Sequence, residues 1–159
     1  MSRWCLLLAR LIPVLWLGAG LAISLIAIPV VFSPTIKSAL PAPEVGHVAQ
    51  SILGRFFGVQ LGLLAIGLTA RWGAGWNWTR LERLMWAILA VGALLAGFWM
   101  HPKLRELHRI KYDPAQPLPI QERASNEFLQ WHGISQVGNL LMLFLLASVS
   151  MQNIERPDR

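Results

Sequence analysis

The stretch FLQWHGISQVGNLL, Phe128 to Leu141, sets His132, Ser135 and Asn139 at i, i+3 and i+7, one face of a helix in an otherwise apolar run. An imidazole and a carboxamide facing lipid would be left unsatisfied, so this face must look into a bundle or a wet cavity. Arg55 joins it as a fourth polar group, drawn into the apolar part of the chain by its neighbours. The remaining histidines are His47, His101 and His108. Neutral imidazole ligates copper, zinc and haem iron, which makes His47, His101, His108 and His132 the candidate metal set. No H-xxx-H pair, CxxC or Met-rich ligand set accompanies them, so the plainer role of His132 is a hydrogen bond across a bundle to Ser24, Gln60 or a backbone carbonyl, with Asn139 acting similarly. Phosphate loops, nucleophile elbows and paired buried carboxylates are absent, and no residue is assigned a catalytic role.

These side chains need a scaffold, and the composition says which kind. The chain has 159 residues, of which 55% are hydrophobic and 14% charged, with a mean hydropathy of +0.49. That is an integral membrane composition over a single domain, 1–159. The net charge of +6 comes from basic residues at the ends of apolar runs, a pattern that meets lipid headgroups rather than nucleic acid. Cys5 stands alone and forms no internal disulfide. Arg10 interrupts the early apolar region, which argues against a cleaved signal peptide.

Four spans follow. Residues 11–32 form the first, with Pro13 and Pro29 predicting kinks at its two ends and Gly18, Gly20, Ala22 and Ser24 offering small-residue packing. Pro34, Pro41, Pro43 and Gly46 predict a loop from Ser33 to about Val48. Between Arg55 and Arg71 only about 22 Å of helix is available, so the second span must extend over 48–70, placing Arg55 near the interface. Gly54, Gly58 and Gly62 then form a ladder for close helix approach. In the loop that follows, Trp72, Trp76 and Trp78 read as interfacial belt residues. The third span is 84–100, with Gly92 and Gly97 as its packing seam. Pro102 predicts a kink or break, after which Leu104, Leu107 and Ile110 give a short amphipathic helix lying on the membrane surface. The fourth span, 128–152, belongs to a helix that starts near Ile120, well outside the bilayer, and the polar tail NIERPDR frays. The fold class is therefore all-α, an integral membrane four-helix bundle with a short amphipathic helix between the third and fourth spans.

Four spans put both termini on one side. Arg3, Arg10, Arg71, Arg80, Arg83, Arg156 and Arg159 face Lys37, Arg55, Lys103, Arg105, Arg109, Lys111 and Arg123, an even split that leaves orientation to the first span, whose flanking Arg3 and Arg10 favour cytoplasmic termini. Every histidine falls at the opposite, loop-side end. A bacterial inner membrane is the expected location.

Gly18 with Pro29 and Phe32, GHVAQSILGRFF entering the second span, His101–Pro102 after the third, and F-xxx-HG-x-S-xxx-NL from Phe128 to Leu140 together resemble the transmembrane protein 205-like family. The resemblance covers nearly the whole chain. It implies a four-helix membrane architecture in a family largely of unknown function, with His132, Gly133, Ser135, Asn139 and Leu140 as characteristic positions. A fainter similarity, in Trp16 to Gly18 and in Pro29 and Phe32, is to four-helix membrane proteins of haem biosynthesis and copper resistance. Those rely on a first-helix histidine, which this chain lacks.

The functional expectation is a non-enzymatic membrane protein that handles a small solute or metal ion, or serves as an assembly partner, alone in the bilayer, as a homo-oligomer or beside another membrane protein, without a cofactor. The alternative is a haem- or copper-binding redox protein with its ligands at the histidine-rich end.

Overall fold

The computed structural model describes residues 3–155, with side chains up to Asn153; of the tail NIERPDR, expected to fray, residues 153–155 continue the last helix with Asn153 buried, and 156–159 lie outside the described residues. Five helices account for nearly all of them. They are α1 (Arg3–Val31), α2 (Pro34–Ala39), α3 (Ala42–Gly73), α4 (Arg80–Lys111) and α5 (Leu118–Glu155). No strand occurs among the described residues, and α1, α3, α4 and α5 are each long and apolar enough to cross a membrane. The protein is an all-α integral membrane protein.

Helix α1 packs on α3 and α5, and α4 packs on the same two, so the order around the bundle is α1, α3, α4, α5. The core centres on Trp16, Leu64, Met85, Trp86, Leu89, Ala93, Leu146 and Val149, towards the end that carries the termini. A smaller cluster of Val31, Val45 and Ala49 closes the loop end. Outside the core the bundle is covered by large exposed apolar side chains, including Leu25, Phe98, Leu140 and Phe144. Four apolar helices wearing such a coat require a bilayer as solvent.

Two expectations are corrected. Pro29 and Pro102 do not break their helices, because the turn before each is widened: the Ile28 N–H reaches back to the Ile23 carbonyl and that of His101 to the Ala96 carbonyl, five residues in each case, while Pro13 lies inside α1 with no such turn. A π-turn gives the following proline ring the room an ordinary turn denies it. Helix α4 therefore continues through Pro102, and the amphipathic stretch His101–Lys111 stands on the third span instead of lying on the membrane, with Leu107 buried. At the second span, Pro41 and Pro43 start α3 rather than prolonging the loop, since a proline in the first turn lacks only an N–H that has no helical partner anyway. Gly46 and His47 are thus helical. At about 1.5 Å per residue, α3 and α4 reach roughly 48 Å and α5 roughly 57 Å, so their loop-side ends project beyond about 30 Å of hydrocarbon.

Glycine positions fix the helix contacts. A Cβ at Gly67 would lie 2.7 Å from the Trp86 ring, one at Gly20 2.7 Å from Leu143, and one at Gly92 2.6 Å from the Met142 sulfur. Of the predicted ladder, Gly54 faces α4, while Gly58 and Gly62 meet nothing within 4 Å. Residues four apart advance about 40° around a helix, so the ladder turns progressively out of the α3–α4 seam. A Cβ at Gly97 would make an ordinary contact, 3.7 Å from Phe57.

Candidate functional site

At the loop-side end, His47, Gln50, Ser51, Gly54 and Arg55 recur at three- and four-residue spacing along one face of α3. His101, Arg105 and Arg109 do the same on α4. The antiparallel crossing sets these stripes side by side, and a cavity of about 270 Å³ opens between them, lined by His47, Gln50, Ser51, Gly54, Arg55, His101 and Arg105. A second depression of about 300 Å³ adjoins it along His47, His101, Pro102, Arg105, Glu106 and Arg109.

Glycine makes this seam close. The His101 ring sits over Gly54, its Nε2 3.0 Å from where a Cβ would be, and the His108 imidazole occupies the notch at Gly46, where a Cβ would collide with it. His108 is consequently buried, edge-on to His47 at 5.1 Å between ring centres, and near Tyr112 at 4.9 Å and Phe128 at 5.9 Å. Phe128 in turn stacks on His132 at 5.7 Å with nearly parallel planes. Three of the four histidines therefore gather between α3 and α4, and the fourth is reached only through a phenylalanine. Among the described residues no group of three or more His, Cys, Asp or Glu side chains is placed to hold a metal ion.

The lining is short of partners. Both amide atoms of Gln50 are buried without a hydrogen bond, and no carboxylate faces Arg55 or Arg105 among the described residues. The acid that lines the adjoining depression, Glu106, is engaged by Arg109 through two bonds of 2.7 and 3.0 Å. The groove thus presents unpaired guanidinium groups, imidazole, hydroxyl and an orphaned amide, a donor-rich surface suited to an anion or a strongly hydrogen-bonding solute.

The polar face of the fourth span divides. Asn139 donates to the Ser24 hydroxyl at 3.0 Å and ties α5 to α1. Ser135 bonds back to the His132 carbonyl at 2.7 Å, and the His132 ring meets Gln136 at 3.1 Å on its own helix. Ser24, one of the partners anticipated for His132, belongs to Asn139, about two turns deeper. Neither His132 nor Asn139 lines the groove containing Arg55.

A second polar centre lies at the opposite end. Arg71 is fully buried where all four long helices meet. Its guanidinium donates to Asn153 on α5 at 2.9 Å and to the Ala9 carbonyl on α1 at 3.4 Å, and lies 3.8 Å from Glu82 on α4. Three indoles surround it, Trp76 at 4.5 Å, Trp86 at 4.8 Å and Trp78 at 5.4 Å. Of the predicted belt only Trp72 faces outward, 80% exposed; Trp76 and Trp78 turn in because a buried cation offers them a better partner than the headgroup zone. Glu82 also accepts from Trp76 at 3.2 Å and closes a capping box with Thr79, so its carboxylate has no room for a ligand. This centre is a structural latch. Its signal in the sequence was T-x-x-E, Thr79 to Glu82, after a tryptophan-rich turn.

Gln50, Ser51 and Arg105 were missed as groove residues. The available clue was their three- and four-residue spacing from His47 and His101, which carries weight only once α3 is known to begin before residue 47. Comparison with curated proteins and with solved structures found no match. A family model described as a domain of unknown function, DUF4149, matches residues 11–113 and so takes in the groove, the latch residues Arg71 and Glu82, and three of the four spans. The chain belongs to the DUF4149 family of domains of unknown function.

Proposed function

We propose that this multi-pass membrane protein is not an enzyme and that it binds a small polar solute in the loop-side groove between α3 and α4. The observation that supports this reading is Gln50, whose buried amide lacks any partner in a cavity rich in donors from two helices. A buried amide left unpaired costs about 1–3 kcal/mol, a cost that a bound polar group would offset. Handling a solute suits the lining better than a reaction, since no carboxylate lines the inner cavity to orient a histidine beside Ser51. The haem or copper alternative has no such observation behind it.

Within its family we place the chain with the transmembrane protein 205-like proteins, on the Phe128–Leu140 motif, which lies beyond the matched residues. We also place it in a bacterial inner membrane with both termini cytoplasmic, following the arginines that flank α1. The test is purification of the full chain in mild detergent, with mass spectrometry of co-purified small molecules and a thermal-shift screen of polar solutes. A ligand should be found whose binding weakens about tenfold in Gln50→Leu, the loss expected for one hydrogen bond of roughly 1.4 kcal/mol. Ligand binding indifferent to Gln50, Arg55 and Arg105 together would remove the groove from consideration.

A further inference from the structure

Arg55 lies 16 residues before Arg71, about 24 Å along α3, and His101 lies 17 residues after Leu84, about 26 Å along α4. Against about 30 Å of hydrocarbon, with Arg71 and Leu84 near the opposite boundary, the inner end of the groove reaches the headgroup level of the loop-side leaflet. Directly below Arg55 on the same face of α3 come Gly58 and Gly62, where the space a Cβ would enter is open. At a similar depth α4 exposes Leu94, at 46%, and Phe98, at 71%. Below the basic, amide-containing pocket, α3 and α4 thus expose an apolar surface to the bilayer, bare of side chains at Gly58 and Gly62.

We infer that the groove holds the phosphate of an anionic phospholipid between Arg55 and Arg105, with an acyl chain lying along Gly58 and Gly62. The inference rests on the reading of the groove as a polar-ligand site and names its ligand class. Guanidinium groups recognise phosphate through paired, charge-assisted hydrogen bonds, and here two of them have no competing carboxylate. The Gln50 amide and the Ser51 hydroxyl supply the neutral contacts that a phosphate ester or glycerol hydroxyl requires. A cavity of about 270 Å³ is small beside drug-sized sites and suits a headgroup more than a bulky solute. Free phosphate could use the same arginines but would make no use of the apolar surface below them. The pocket's place at the headgroup level, directly above lipid-exposed apolar surface, favours the lipid.

The test uses the full-length protein in neutral phosphatidylcholine bicelles, titrated either with phosphatidylglycerol or with inorganic phosphate. Bound lipid is counted by native mass spectrometry and thermal stability is followed in parallel. Phosphatidylglycerol should be retained over phosphatidylcholine and raise the melting temperature. Arg55→Gln and Arg105→Gln should each lower its occupancy about tenfold, as loss of one charge-assisted hydrogen bond predicts. Gly58→Leu, which fills the open space there, should lower lipid occupancy without adding to either arginine effect. Because that variant could fail to fold, the wild-type competition carries the decision. If inorganic phosphate stabilises the protein and displaces phosphatidylglycerol, the lipid assignment is overturned while the groove stands as an anion site. If neither anion binds but another polar solute does so through Gln50, the anion assignment falls alone. If no ligand responds to Gln50, Arg55 or Arg105, the groove reading falls with it.

Discussion

Replacing Glu82 by glutamine should destabilise the bundle more than almost any other single isosteric change, because it removes one charge from a buried pair together with one of the two hydrogen bonds its oxygens accept. Glu82 is 1% exposed and Arg71 is fully buried. At 3.8 Å, and at an effective dielectric constant of about 20, their attraction amounts to about 4 kcal/mol. Stranding one member of a buried pair typically costs about 3–5 kcal/mol, in agreement. Glutamine offers one acceptor oxygen where Glu82 uses two, Oε1 for Trp76 and Oε2 for the Thr79 N–H, so Glu82→Gln loses the charge and one of these bonds, and Glu82→Ala should lose about 1 kcal/mol more with the rest of the cap. The double change Arg71→Met with Glu82→Gln removes both charges and should be less destabilised than Glu82→Gln alone, since apolar replacement of a buried pair is often tolerated. Reversible denaturant unfolding in detergent, followed by tryptophan fluorescence, reads these differences through the indoles around Arg71. Glu82→Gln within about 0.5 kcal/mol of the parent, or a double variant worse than the single, would refute the latch.

Other substitutions probe the packing. Gly67→Ala and Gly92→Ala should cost about 1–3 kcal/mol in the same unfolding assay, since a methyl must enter the Trp86 and Met142 side chains, whereas Gly58→Ala and Gly62→Ala should be neutral or gain up to about 1 kcal/mol from helix propensity. A marked loss at Gly58 or Gly62, paired with a change in oligomeric state, would mean that a second copy covers that face. A double-mutant cycle between Ser24→Ala and Asn139→Leu should return a coupling of about 0.6–1.7 kcal/mol, and zero coupling would detach Asn139 from α1. Gly46→Ala should expel the His108 ring from its notch; histidine NMR shifts that do not move between the parent and this variant would contradict the contact.

Apolar run length and charge placement determined, without any structure, that the chain crosses the membrane four times and that all its histidines gather at the loop-side end. Those properties depend on local composition measured against bilayer thickness, which a linear sequence carries in full. Helix continuity past Pro102 was not legible, because proline reads as a breaker and only neighbouring helices decide whether a widened turn is worth forming. The start of α3 at Ala42 was hidden for a related reason: Pro41 and Pro43 suit a loop and a helix's first turn equally well. That single ambiguity concealed the groove, for His47, Gln50, Ser51 and Arg55 share a face only within one helix. Partners were decided by tertiary structure alone. His132 and Asn139 were visible as one polar face, yet the bundle paired Asn139 with Ser24 on α1 and left His132 to Phe128 and Gln136, since helix crossing geometry selects which depth of α5 meets a given depth of α1. Arg71, Glu82 and Asn153 are far apart in sequence, and only the closing of four helices around one guanidinium turned an apparent interfacial arginine into the centre of the fold.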